Sequence, residues 1–191
     1  MWNSMKRKRS ARNRRARRCL FLILLALLAL LLMWPRTVHL EGLVSPYAIL
    51  VDADSGEAVA EKEADVSIYP ASMTKVMTAL LALEANPDLE QPVTLPEDIF
   101  PELRAEGASM AGFRPGETAT VRDLLYGALL PSGAECCEAL AREVSGSEKA
   151  FVELMNQKAA ELGMRSTHFC NPTGLHDPEH VSTVRDMARL L

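Results

Sequence analysis

Cysteine, histidine and aromatic residues are scarce in this 191-residue sequence, with four Cys, four His and 5% Phe, Trp and Tyr. The cysteines are Cys19, Cys136, Cys137 and Cys170, and none stand at metal-ligand spacing, which excludes a zinc ribbon or finger. Three cysteines after Cys19 leave at least one unpaired, so a disulfide scaffold is excluded too. Cys170 bonding to Cys136 or Cys137, and burial of all three as small hydrophobes, both stand as readings. His168, His176 and His180 fall in a late loop region and read as solvated, while His39 falls beside the apolar N-terminal run. No Gly-rich phosphate loop and no internal repeat occur, so neither metal nor cofactor is expected.

Acidic residues are missing from the first 18 positions, which carry Lys6, Arg7, Lys8, Arg9, Arg12, Arg14, Arg15, Arg17 and Arg18. Removing those nine from the 21 Lys and Arg leaves 12 basic against 25 acidic residues, so the remainder carries about −13. Cys19 to Trp34 follows, sixteen uncharged residues that are mostly Leu, closed by Pro35. A spanning helix needs roughly 20 apolar residues unless it tilts or thins the bilayer, and a signal-peptide core is shorter than this run. With no small-x-small cleavage site after it and Trp34 suited to the interfacial belt, we read residues 19–34 as an uncleaved transmembrane signal anchor, a cleaved signal peptide being the alternative. The positive-inside rule then keeps residues 1–18 cytoplasmic and places the chain after Arg36 outside the cell membrane, anchored or, after cleavage, secreted. A basic run abutting a Leu-rich core orients a membrane segment rather than binding nucleic acid.

Residues 35–46 read as a polar linker and 47–191 as one domain. A strand from Tyr47 to about Asp52, a turn at Asp54-Ser55-Gly56 and a strand from Ala58 predict a hairpin. A buried helix starts near Ser72, with Val76, Met77, Ala79, Leu80, Leu81 and Leu83 apolar on nearly every side. Pro-punctuated residues 86–118 read as loops with one short strand near Val93. Thr120 and Asp123 form a capping signal for a helix ending at Pro131, another helix begins near Ala134, and Ser145 or Ser147 caps a third that stops at Gly163. "NPTGLHDPEH" reads as a loop. "STVRDMARLL" has a good cap but no evident partner, and two confident strands are few for so many apolar helices. These features lead us to expect an N-terminal portion of a larger domain, with an exposed hairpin edge.

In "YPASMTKVMTALLALE", Lys75 follows Ser72 by three residues at the start of a helix, where the positive end of the macrodipole disfavours a cation. Positions i and i+3 share a face, and burial would also push the lysine toward its neutral form. A neutral amine beside a serine hydroxyl is a general base beside a nucleophile. With 12 Ser and six Lys, Ser-x-x-Lys is expected about 0.4 times by chance, so the context carries the signal. The plain alternative is a lysine that snorkels to the surface. Ser132, in "LLPSGAECC", reads either as an N-cap or as a second hydroxyl facing the same cleft.

"YPASMTKVMTALLALE", "GASMAGFRPGETATVRDLLYGALLPSGAECCEALA", "GSEKAFVELMNQKAAELGM" and "THFCNPTGLHDPEHVSTVRDMA" resemble, in that order, the serine-type D-alanyl-D-alanine carboxypeptidases, low-molecular-mass penicillin-binding proteins. The resemblance runs from about Tyr47 to Leu191. It implies an α/β fold of the α+β type, a mainly antiparallel sheet covered by helices, like β-lactamases and penicillin-binding proteins, of which only the early hairpin and the helical region are present. It further implies that Ser72 is acylated by the penultimate D-Ala of a peptidoglycan pentapeptide, that Lys75 takes its proton, that Ser132 relays a proton to the leaving amine, and that Gly133 and Ala134 lie in the substrate-binding motif. β-Lactams would act as inhibitors by trapping Ser72.

Two departures stand out. Ala134 occupies the position of the family's Asn, an amide contact worth on the order of 1–3 kcal/mol when its loss leaves a partner unsatisfied. Lys-Thr-Gly, the family's third motif, occurs nowhere in the sequence. That strand would supply an oxyanion-hole donor worth about 10²–10³ in rate, so the 191 residues alone are expected to be inactive. Rival readings are a β-lactamase-like or transpeptidase activity and, from another class, a degenerate non-catalytic wall-binding or scaffold protein.

Overall fold

The computed structural model describes residues 42–191, preceded by Ile23, Leu25, Val38 and Leu40 individually. The basic tip at 1–18 and, apart from Ile23 and Leu25, the anchor expected at 19–34 lie outside the described residues. Among the described residues no helix is long and apolar enough to cross a membrane.

The hairpin forms where its turn chemistry predicts it. β1 (Ala48–Val51) pairs antiparallel with β2 (Ala58–Lys62). The Asp52 carboxylate holds the turn, accepting from the Asp54 and Ser55 amides at 3.1 and 2.8 Å. Neither strand pairs with a third among the described residues, and Leu50 is 45% exposed on the hairpin, in line with the exposed edge expected.

A single 3₁₀ turn, Ala71–Met73, leads into α1 (Thr74–Ala85), so Ser72 lies just before the α-helix rather than within it. β3 (Pro92–Thr94) is the strand expected near Val93, but residues 86–118 are not otherwise loops: they include α2 (Ile99–Ala105). Pro101 is compatible with α2 because it lies in the first turn, where amides have no intrahelical acceptor to lose. β4 (Thr118–Thr120) pairs with β3 across 23 intervening residues, a long-range match with no local signal.

α3 (Val121–Leu129) starts in a reciprocal capping box between Thr120 and Asp123. α4 (Ala134–Ser145) packs against α1, α2, α3 and α5, and its first eight residues are all buried. Ser147 caps α5 (Glu148–Glu161), accepting from the Ala150 amide at 3.2 Å, which decides between the two serines. α6 (Val184–Leu190) is capped by Thr183. Contrary to expectation α6 has partners: Met187 and Leu190 join Met77, Leu81, Phe151, Met155 and Phe169 in one core cluster. Arg185 also ties α6 to the hairpin region through Asp65 at 2.6 Å and through Glu61.

The second cluster joins α1 to α4 through Phe100, Leu103, Leu124, Leu140, Cys136 and Cys137. Each large side chain so buried contributes about 1.5–3 kcal/mol. α1 and α4 belong to both clusters and are therefore the best-fixed elements for carrying reactive side chains. The three described cysteines are free: Cys136 and Cys137 are fully buried, as the small-hydrophobe reading expects, Cys170 is only half-buried, and the bridge to Cys170 does not form.

Candidate active site

The strain in the backbone is concentrated at the two serines. Only three non-glycine residues among those described have left-handed φ, and two are Ala71 (φ 48°), immediately before Ser72, and Ser132 itself (φ 63°). Each such residue costs on the order of 1–3 kcal/mol and persists only where the surroundings fix it. The fixing contacts are close. Gly174 lies so near the 3₁₀ turn that a Cβ there would fall 1.9 Å from the Ala71 carbonyl oxygen. Gly133, beside Ser132, is also tightly enclosed: a Cβ would be 2.7 Å from the Ala111 methyl.

These turns bring three groups together. Ser132 Oγ donates to Ser72 Oγ at 3.0 Å, and Lys75 Nζ donates to the same oxygen at 3.4 Å. Ser132 does not cap α4; Gly133 occupies the N-cap without a side-chain bond, and the Ser132 hydroxyl faces Ser72 instead. Ser72 is exposed and Lys75 is 5% exposed, so the lysine does not snorkel to the surface and the hydroxyl it reaches is open to solvent. Ala134 is 1% exposed and sits in the core cluster, so its methyl adds nothing polar to the cleft.

Burial lowers the Lys75 pKa; the Cys137 sulfur and the Glu135 carboxylate oppose the change. Cys137 is itself pushed up to about 12, chiefly by burial, and stays a thiol at neutral pH. Glu135 is fully buried: Oε1 accepts from the Gly112 amide at 2.9 Å and Oε2 has no partner among the described residues. The net direction favours a neutral amine more than in water, the state in which Lys75 can accept a proton.

Sequence reasoning missed the loop that holds the lysine. Lys75 Nζ donates to the Thr173 carbonyl at 2.5 Å, and Thr78 Oγ1 to the Pro172 carbonyl at 2.6 Å. Asn171 Oδ1 shapes this turn, accepting from Thr173 N, Thr173 Oγ1 and Gly174 N. "NPTG" signals such a turn, but nothing local places it against α1.

His180 corrects the expectation of a solvated histidine. It is 2% exposed, and its Nδ1 accepts from the Cys170 amide at 3.1 Å, so the proton is on Nε2, which donates to Thr74 Oγ1 at 2.8 Å. Burial pulls its pKa down to about 4. His168 and His176 are exposed.

A nucleophilic hydroxyl beside a second hydroxyl and a buried amine suits acyl transfer. The D-alanyl-D-alanine carboxypeptidase family matches residues 36–191. D-alanyl-D-alanine carboxypeptidase DacF of Bacillus subtilis is 39% identical over 141 residues, 74% of this chain and 36% of the relative. DacC of Escherichia coli, of the same description, is 41% identical over 150 residues, 74% of this chain and 37% of the relative. Among solved structures, a variant of the Streptomyces K15 DD-transpeptidase superposes with a TM-score of 0.73 at 32% identity, covering 76% of this chain and 59% of that one. The chain thus spans little more than a third of the length of these curated relatives.

Proposed function

Because the chain belongs to the D-alanyl-D-alanine carboxypeptidase family, we propose that it supplies the acylating half of a serine D-Ala-D-Ala carboxypeptidase acting on peptidoglycan stem peptides. The observation that carries the reading is the convergence of Ser132 Oγ and Lys75 Nζ on Ser72 Oγ. Ser72 attacks the penultimate D-Ala carbonyl while its proton passes to neutral Lys75. The new bond is the Oγ–carbonyl ester. The bond that breaks is the amide to the terminal D-Ala, whose nitrogen takes a proton through Ser132. Water then hydrolyses the ester, and β-lactams stop at the acyl stage. Residues 19–34 anchor the protein in the cell membrane with the domain outside, a placement supported by the nine basic residues that precede the Leu-rich run.

Ala134, where relatives are expected to carry Asn, favours a second reading, a non-catalytic wall-binding protein. The gene product, tested with fluorescent penicillin and with a D-Ala-D-Ala-terminated pentapeptide, separates them. The carboxypeptidase reading expects labelling and D-Ala release, both lost in Ser72→Ala. Labelling without D-Ala release points to the transpeptidase or β-lactamase-like rivals, and no labelling at all overturns the enzyme.

A further inference from the structure

Behind the loop that holds Lys75 lies a polar cavity of about 230 Å³, between α2, α4 and the start of α5. Five carboxylates line it: Glu102, Glu106, Glu138, Glu148 and Asp177. The one guanidinium in its wall, Arg142, gives its Nη1 to both oxygens of Asp98, at 2.9 and 2.8 Å, and is thereby partly neutralised. An acidic cluster alone says little, since such side chains usually spread into water. Glu138 is different: it is only 6% exposed, lines the cavity from α4, and forms no hydrogen bond or ion pair among the described residues.

Leaving a buried carboxylate without a partner is costly. Burial, then Glu148, with Glu102 and Asp98 adding to it and Arg142 opposing, pushes the Glu138 pKa up to about 8. Glu148 is also raised, first by burial and then by Glu102. Glu106 from α2 and Asp177, His176 and the Cys170 thiol from the loop complete the titratable groups facing the cavity, so carboxyl groups outnumber the basic side chains Arg142 and His176 by five to two. A cation is the ligand that removes this repulsion.

Among the described residues no three His, Cys, Asp or Glu side chains converge closely enough to hold a dehydrated ion. The cavity is instead roomy: at about 30 Å³ per water it has space for roughly seven. Mg²⁺ keeps several waters and is commonly held through one or two carboxylates, which matches this arrangement. We propose that the cavity binds a hydrated divalent cation of the Mg²⁺ or Ca²⁺ class, with Glu138 as direct ligand and Glu148, Glu102 and Asp177 holding its waters. Thr173 is in the cavity wall, and its carbonyl receives Lys75, so the ion would brace the loop that positions the amine. This site stands apart from Ser72 and does not depend on the catalytic reading.

The test uses the full chain at pH 7, titrated with MgCl₂ or CaCl₂ at ionic strength held constant with NaCl. Thermal melting should show a saturable rise. Calorimetry should show a saturable isotherm of about one ion per chain. Glu138→Gln should weaken binding at least tenfold, while Glu57→Gln, on the hairpin, should leave it unchanged. A rise that NaCl alone reproduces, or unchanged affinity in Glu138→Gln, overturns the proposal. If Glu138→Gln does not fold, Glu148→Gln decides: a severalfold loss of affinity supports the site and wild-type affinity overturns it.

Discussion

Replacing Gly174 by Ala tests whether the loop 171–174 sets the geometry of Ser72. The new Cβ would lie 1.9 Å from the Ala71 carbonyl oxygen and 2.4 Å from its carbon, against ordinary contacts of 3.4–4 Å, so one backbone must retreat by about 1.5 Å. Both sides are main chain, so no side chain can swing away. Gly174 also has φ +80°, which costs a side-chain-bearing residue about 1 kcal/mol or more. With roughly 1–3 kcal/mol for overpacking, the expected loss is about 2–4 kcal/mol, or roughly 4–16 °C in melting temperature. The retreat carries Ser72 or the Thr173 carbonyl with it, and a misplacement of about 1 Å can slow reaction by on the order of 10²-fold. Gly163→Ala is the control: φ is +73° there but no atom lies within 4 Å, so only about 1 kcal/mol and no loss of acylation are expected. Melting curves and fluorescent-penicillin labelling of the gene product read both effects. If Gly174→Ala matched Gly163→Ala in both, the loop would not be holding the nucleophile.

Ser132→Ala removes the hydroxyl that donates to Ser72 Oγ and should slow transfer of the acyl group by about 10²-fold or more with little change in melting. His180 has a folded pKa depressed to about 4 against 6.5. The unfolded chain therefore binds more protons, and the stability contributed above pH 6.5 is lost as pH falls toward 4, up to about 3 kcal/mol. His180→Gln should flatten that acid limb in urea titrations. Glu138 behaves oppositely: its folded pKa is raised to about 8, so without divalent cation stability should fall between pH 4.5 and 8, by up to about 5 kcal/mol. Glu138→Gln should therefore raise the melting temperature at pH 8 and leave it unchanged near pH 4.

What the sequence made legible was local. Asp52 and Gly56 mark the hairpin turn, Thr120 with Asp123 marks the start of α3, and Ser147 caps α5, each through bonds spanning two to four residues. Ser72 and Lys75 were readable for the same reason, being one turn apart. The Ser132 bond to Ser72 spans 60 residues and the Lys75 bond to Thr173 spans 98, and neither leaves a periodic trace in the sequence. Order within the family blocks places Ser132, but Thr173 and His180 lie in a Pro/Gly-rich stretch, where polar residues normally are solvated. α2 was hidden by Pro101, tolerated only because it lies in the first turn. α6 looked partnerless because its contacts, Phe151 and Met77, lie far back along the chain.

The most direct measurement of the central idea, that buried Lys75 serves as the base for Ser72, is the pH dependence of Ser72 acylation by a β-lactam, followed by intact-protein mass spectrometry. The account predicts one adduct, on Ser72, forming faster as pH rises along a limb whose midpoint lies below the ordinary lysine value of 10.5, with that limb absent in Lys75→Arg. An acylation rate flat from pH 6 to 10, or one that Lys75→Arg leaves unchanged, would contradict it.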